Sequence, residues 1–206
     1  MRKEILGLVL ALGCVSTVVL AADSYKIDLV HSNVSFSVKH MMVSNVSGSF
    51  EKYDGQIMFD DKDLASSKVS VTIDPSSINT RNEKRDGHLK SPDFFDAVKF
   101  PAITFVSKKI TATNMIGDLT IKGVTKEITV PATISGPVKG MMGSDVIGIN
   151  ATFTLNRQDY GITWNKTLDQ GGLAVSNDVL VNISIEADKI APVENAMVPV
   201  AVAEKK

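Results

Sequence analysis

The chain has 206 residues, with 22 basic and 23 acidic side chains, a net charge of −1 and one cysteine, Cys14. That balance excludes nucleic acid as a partner and unspecific adhesion to anionic lipid, since both need concentrated positive charge. A single thiol excludes a disulfide framework, so stability must come from a packed core.

Residues 1–22 read as a secretory signal peptide. Arg2 and Lys3 precede an apolar run from Ile5 to Leu20, and Val19-Leu20-Ala21-Ala22 supplies the small-residue cleavage site. The run is short for a membrane span, and Ala11-Leu12-Gly13 is a poor approach to a lipidated Cys14. Cleavage removes Arg2, Lys3, Glu4 and Cys14, leaving 20 basic against 22 acidic residues. The mature protein is expected in the periplasm or outside the cell.

Residues 23–190 are expected to form one domain. Val34, Phe36, Val38 and His40 alternate with Ser35, Ser37 and Lys39, which is the period of a strand with one solvated face. The same alternation recurs in Lys68–Asp74, in Ile147–Leu155, and from Val179 to Ala187. Shorter runs lie at Val46–Phe50, Gln56–Phe59, Ala102–Ser107, Asn114–Lys122 and Lys126–Ala132. Tyr53-Asp54-Gly55, Lys122-Gly123-Val124-Thr125 and Val138-Lys139-Gly140 read as hairpin connections. Eight or nine such strands point to an all-β fold, an antiparallel barrel or sandwich.

The segment from Thr80 to Phe95 abandons the strand period and concentrates charge. A long non-strand insertion in a β protein is where a binding site is first sought. Thr80 and Glu83 have capping-box spacing for a short helix, and Ser91-Pro92 starts a second turn. Phe94 and Phe95 are adjacent and face different sides, so at least one should pack on a barrel mouth. Residues 191–206 mix Ala, Val and Pro without period and read as a flexible tail.

Catalytic signals are weak. His31, His40 and His88 have no paired spacing on one element, so a metal site is not expected. There is no nucleophile elbow, and Gly171-Gly172 is a turn signal only. Asp86 and Asp93, beside Lys84, Arg85 and Lys90, read as a solvated charged loop. Phe36, Val38, Phe50, Phe59, Ile73, Phe105, Leu119 and Phe153 lie on apolar strand faces. They fill a core in a sandwich, whereas an eight-stranded barrel has room for one small ligand; the pattern leaves both open. In a hollow barrel each buried methylene contributes about 0.8 kcal/mol. Arg81, Arg85, His88, Arg157 and Tyr160 are then the polar candidates for its mouth.

Asp28-Leu29-Val30-His31-Ser32-Asn33-Val34-Ser35-Phe36 with Val38-Lys39-His40 resembles the opening of the YceI-like family. Gly48-Ser49-Phe50, Ser77-Ile78-Asn79-Thr80, Arg85-Asp86-Gly87-His88-Leu89-Lys90-Ser91-Pro92-Asp93-Phe94-Phe95-Asp96 and Phe100-Pro101-Ala102-Ile103-Thr104-Phe105 extend the resemblance. Gly117 to Lys126 and Asn156 to Ile162 continue it, so that it covers about Tyr25 to Ile190. The resemblance implies an elongated antiparallel eight-stranded lipocalin-like β-barrel with a short helical insertion. It also implies a periplasmic, non-enzymatic carrier of a polyisoprenoid, isoprenoid quinone or similar lipid, without a cofactor or metal. Some members are homodimers, and transient membrane contact fits a carrier. On this reading Phe36, Val38, Phe50, Phe59, Ile73, Phe105, Leu119 and Phe153 line the cavity. The mouth is expected to comprise His40, Arg81, Arg85, His88, Leu89, Phe94, Phe95, Arg157, Tyr160 and Trp164, with Arg81 and Arg85 either gripping an anionic head group or bonding neighbouring loops. The alternatives are a lipid-modifying enzyme using His88 or His40, and a solid-core β protein without ligand.

Overall fold

Strand β1 (Asp23–His40) is 18 residues long and serves both ends of the molecule. The computed structural model describes residues 22–141, 143–168 and 171–191; the expected signal peptide and the tail after residue 191 lie outside them. Nine further strands follow: β2 (Ser44–Phe50), β3 (Tyr53–Phe59), β4 (Lys68–Ile73), β5 (Ile78–Asn79), β6 (Ile103–Ile110), β7 (Asn114–Ile121), β8 (Val124–Lys139), β9 (Asp145–Asn156) and β10 (Val175–Lys189). Among the described residues there is one α-helix, α1 (Glu83–Lys90), between β5 and β6. Every pairing is antiparallel. Strands β10-β9-β8-β7-β6-β4-β3-β1 run in order, and β1 returns to β10, which closes an eight-stranded barrel.

The closure depends on a bulge. Between Asp28 and Asn33 the register of β1 slips against Glu186 and Ser184 of β10. Val30 N donates to Asp28 Oδ1, and the Ser32 side chain replaces the ladder by bonding both N and O of Glu186. An extra stretch of this kind bends and twists a strand. Before the bulge β1 pairs with β3; after it, Ser35–His40 pairs with β2, which in turn carries β5. The wall therefore extends past β3 at one end. His31 lies inside this bulge.

Two of the expected hairpins form. Lys122 and Gly123 have φ of 50° and 76° between the paired residues Ile121 and Val124, a left-handed two-residue turn. The second falls later than expected: Val138 and Lys139 belong to β8, paired with Val146 and Asp145, and the reversal comes after them, where Gly140 N donates to Ser144 O. Tyr53-Asp54-Gly55 is not a turn but the start of β3, paired with Ile73, Thr72 and Val71 of β4. The break falls at Glu51-Lys52, because β2 and β3 pair with different halves of β1 rather than with each other.

The helical insertion is present but capped differently. Asn82, not Thr80, is the N-cap of α1, and its side chain accepts from Arg85 N. Thr80 is already engaged: its N–H and hydroxyl donate to Asp86, and Arg85 Nε donates to its hydroxyl. Ser91 ends α1, its N–H donating to His88 O. Lys122 Nζ, on the β7–β8 turn, donates to Pro92 O at 2.8 Å, which lays the insertion across that end of the barrel.

Candidate functional site

Inside the ring is one long void of about 1560 Å³, counted with the space open to solvent at its mouth. Its wall draws on all eight ring strands and on β2, the insertion and the 157–162 turn. Ser35, Arg157 and Tyr160 are the polar residues of the lining, but they bring almost no polar surface to it, and the Ser35 hydroxyl donates to Asn182 O. A wall of this composition offers burial to a hydrocarbon and almost no hydrogen bonds to water.

One end is packed shut. Tyr25 and Phe59 meet edge to face at 6.3 Å, and Ile147 and Ala187, paired across β9 and β10, are fully buried. None of these four lines the void; they form its floor. Phe59 therefore departs from expectation. It shares the inward face of β3 with Ile57, which does line the void, but sits two residues further towards the floor. Phe36, Val38, Phe50, Ile73, Phe105, Leu119 and Phe153 do line the void. Sequence reasoning passed over Val34, Ile57, Met115, Val130 and the β10 residues Val181 and Ile185, which also line it. The period-two signal for these was present; preference for bulky aromatics hid it.

At the other end the expected mouth residues divide. Leu89, Phe94, Phe95, Arg157 and Tyr160 line the void. His40, Arg81, Arg85, His88 and Trp164 do not. Arg85 is spent on Thr80, through Nε to the hydroxyl and Nη2 to the carbonyl. Arg81 is exposed, at φ 60°, with its N–H on Asn79. His40 is exposed at the end of β1, paired with Ser44 and Val175. His88 and Trp164 sit behind the lining: their rings meet at 4.8 Å, each packs on Phe94, and His88 Nε2 lies 2.9 Å from Asp93. Phe95 packs on Phe50 at 5.7 Å. The insertion is thus fastened to the barrel by aromatic edges.

Arg157 lines the void as expected but gives its donors mainly to backbone carbonyls. It is 4% exposed, and no carboxylate lies within ion-pair distance among the described residues. Nε donates to Ser176 O, and Nη1 to Ile162 O and Trp164 O at 2.8 Å each, with Nη2 3.4 Å from Asn177 Oδ1. Its guanidinium ties the turn after β9 to the start of β10, and burial pushes its pKa down. Tyr160 is equally buried; its pKa is raised, chiefly by burial, and its hydroxyl has no partner among the described residues.

The three histidines do not converge. His31 instead joins Asp28 and Glu186, whose ligand atoms lie within 4.8 Å of one another on the bulge. His31 Nδ1 is 2.7 Å from Asp28 Oδ2, and this bond is the main cause that raises the His31 pKa and lowers that of Asp28. His31 contributes fully below its ordinary 6.5 and loses the contribution as pH rises through its raised value. Asp28 contributes above its ordinary 3.8 and loses it as pH falls through its lowered value. The pair is therefore strongest from about pH 4 to 6.5. In Asp28→Asn the His31 pKa, followed by NMR titration, should fall back towards 6.5; an unchanged value would assign the shift to Glu186.

The family model described as YceI-like domain matches residues 25–187. The UPF0312 protein SAS2572 of Staphylococcus aureus (strain MSSA476) is 45% identical over 164 residues, 79% of this chain and 96% of that protein. Among solved structures, BcnA of Burkholderia cenocepacia superposes with a TM-score of 0.68 at 26% identity, over 78% of this chain and 98% of that one. A polyisoprenoid binding domain from Saccharophagus degradans, implicated in plant cell wall breakdown, shares the fold with a TM-score of 0.61 at 14% identity, over 81% of this chain and 98% of that one.

Proposed function

The chain belongs to the YceI-like domain family, and on that premise we propose that it is a carrier holding one long-chain amphiphilic lipid, an isoprenoid or isoprenoid quinone, tail inward in its barrel. The observation that carries this reading is the void itself: apolar along its length, packed shut at Tyr25, Phe59, Ile147 and Ala187, and open at the other end. The shared fold of a polyisoprenoid binding domain supports the same class of cargo. Work in the periplasm, after removal of residues 1–22, is part of the proposal.

The head group belongs beside Tyr160 and Arg157. Both residues line the void; among the described residues the Tyr160 hydroxyl has no hydrogen-bond partner and Arg157 has no carboxylate within ion-pair distance. A carbonyl or phenol oxygen suits that pair. Catalysis by His40 or His88 finds little support, because neither ring lines the void.

Native mass spectrometry of the protein purified from its own host tests the reading: a bound lipid of discrete mass is expected, and protein that is always empty refutes it. Tyr160→Phe should cut preference for acceptor head groups over the bare hydrocarbon about fivefold to tenfold, the worth of one hydrogen bond. An unchanged preference places the head group elsewhere.

A further inference from the structure

The tip of the β1–β2 hairpin carries Met41, Met42 and Val43, which are 42%, 58% and 84% exposed. Val43 N donates to His40 O, and Met41 and Met42 have φ of 53° and 63°. This is the left-handed turn that Asn-Gly fits best and that side chains such as methionine adopt at a cost. Neither methionine joins the core. Local structure thus explains neither their backbone nor their exposure, and strained, exposed positions gather where a protein makes contacts.

The place of the tip gives the reason. Val38 on β1 and Val175 at the start of β10 both line the void, and His40, two residues beyond Val38, pairs with Val175. Met41 N donates to Ala174 O, so the tip is joined to the rim at the end away from the floor. Lys39 lies beside the tip, opposite Asn45. Lys166 O takes the N–H of the same Ala174. Both lysines are exposed, and the ion pairs of the described residues engage Lys108, Lys126, Lys139 and Lys189 instead. Flexible apolar side chains between exposed ammonium groups match the boundary between acyl chains and anionic head groups.

We propose that the Met41-Met42-Val43 tip seats the mouth of the barrel on an anionic bilayer surface. Cargo then passes between membrane and void without crossing water. The passage of cargo rests on the carrier reading; the seating does not.

The test is flotation, with cargo-free vesicles of phosphatidylethanolamine and phosphatidylglycerol, of the protein as exported and processed by its own host, since an uncleaved Ile5–Leu20 run would bind by itself. M41N/M42G gives the turn the residues it prefers, so it folds with an equal or higher Tm. It should bind these vesicles at least tenfold more weakly than the parent. V138S/M141S is the control, because Val138 and Met141 are as exposed but lie on the β8–β9 hairpin at the floor; its binding should equal the parent's. Equal binding by the tip variant and the parent would overturn the proposal. So would a parent that ignores the vesicles, including one whose tip instead captures a protein. Bound lipid, weighed in the same preparations, reports on the carrier reading separately.

Discussion

Ala151→Phe is expected to empty the barrel while leaving it folded. Ala151 lies on β9, paired with Ala132 on β8 and Ile183 on β10, and all three line the void. A ring built there projects into space that the cargo would fill. If it displaces about four methylenes, the cargo loses about 3 kcal/mol, roughly two orders of magnitude in affinity. Overpacking a filled core costs about 1–3 kcal/mol, but here the added atoms enter a void, so Tm should move little. Mass spectrometry of the purified variant beside a thermal melt separates the two effects. Full loading in Ala151→Phe would mean that the cargo does not lie in the barrel.

Arg157→Met should do the opposite, unfolding the mouth before it alters cargo choice. The substitution leaves the carbonyls of Ser176, Ile162 and Trp164 without their donor. An orphaned buried acceptor costs about 1–3 kcal/mol, and removing an unpaired buried charge returns part of that. The net loss should be about 3 kcal/mol, a fall in Tm of roughly 6–12 °C for a domain of this size. Arg157→Lys should not restore it, because one ammonium cannot span three carbonyls held by a planar fork. Hydrogen exchange should quicken first between Ile162 and Ala174. A Tm within a degree or two of the parent would show that those carbonyls find water instead.

The two variants mark how far reading the chain reaches. Seven of the eight residues expected in the cavity line it, because alternation assigns a face and a closed antiparallel sheet has one inside. Phe59 escaped since its face was right and its height wrong, and no period reports height along a barrel. The mouth was less legible. Leu89, Phe94 and Phe95 could be placed from an insertion that breaks the strand pattern. Arg81 and Arg85 could not, since Arg81 stays exposed and Arg85 is taken by the hydroxyl and carbonyl of Thr80, a local pairing that no period reports. The Asp28-His31-Glu186 group was missed altogether: Glu186 comes from β10, more than 150 positions away, and meets the other two only through the β1 bulge.

The amino-acid order alone determined most of the strands and their inward faces, the Lys122-Gly123 reversal and the helical interruption, because each is set by neighbours within a few residues. Only the tertiary structure decided that the interior is hollow, where it ends, and that Arg157 holds loops rather than facing a ligand alone. Those facts depend on how many strands close the ring and on which distant backbone groups it brings within 3 Å, and the volume enclosed by a barrel is a property of the ring, not of any strand in it.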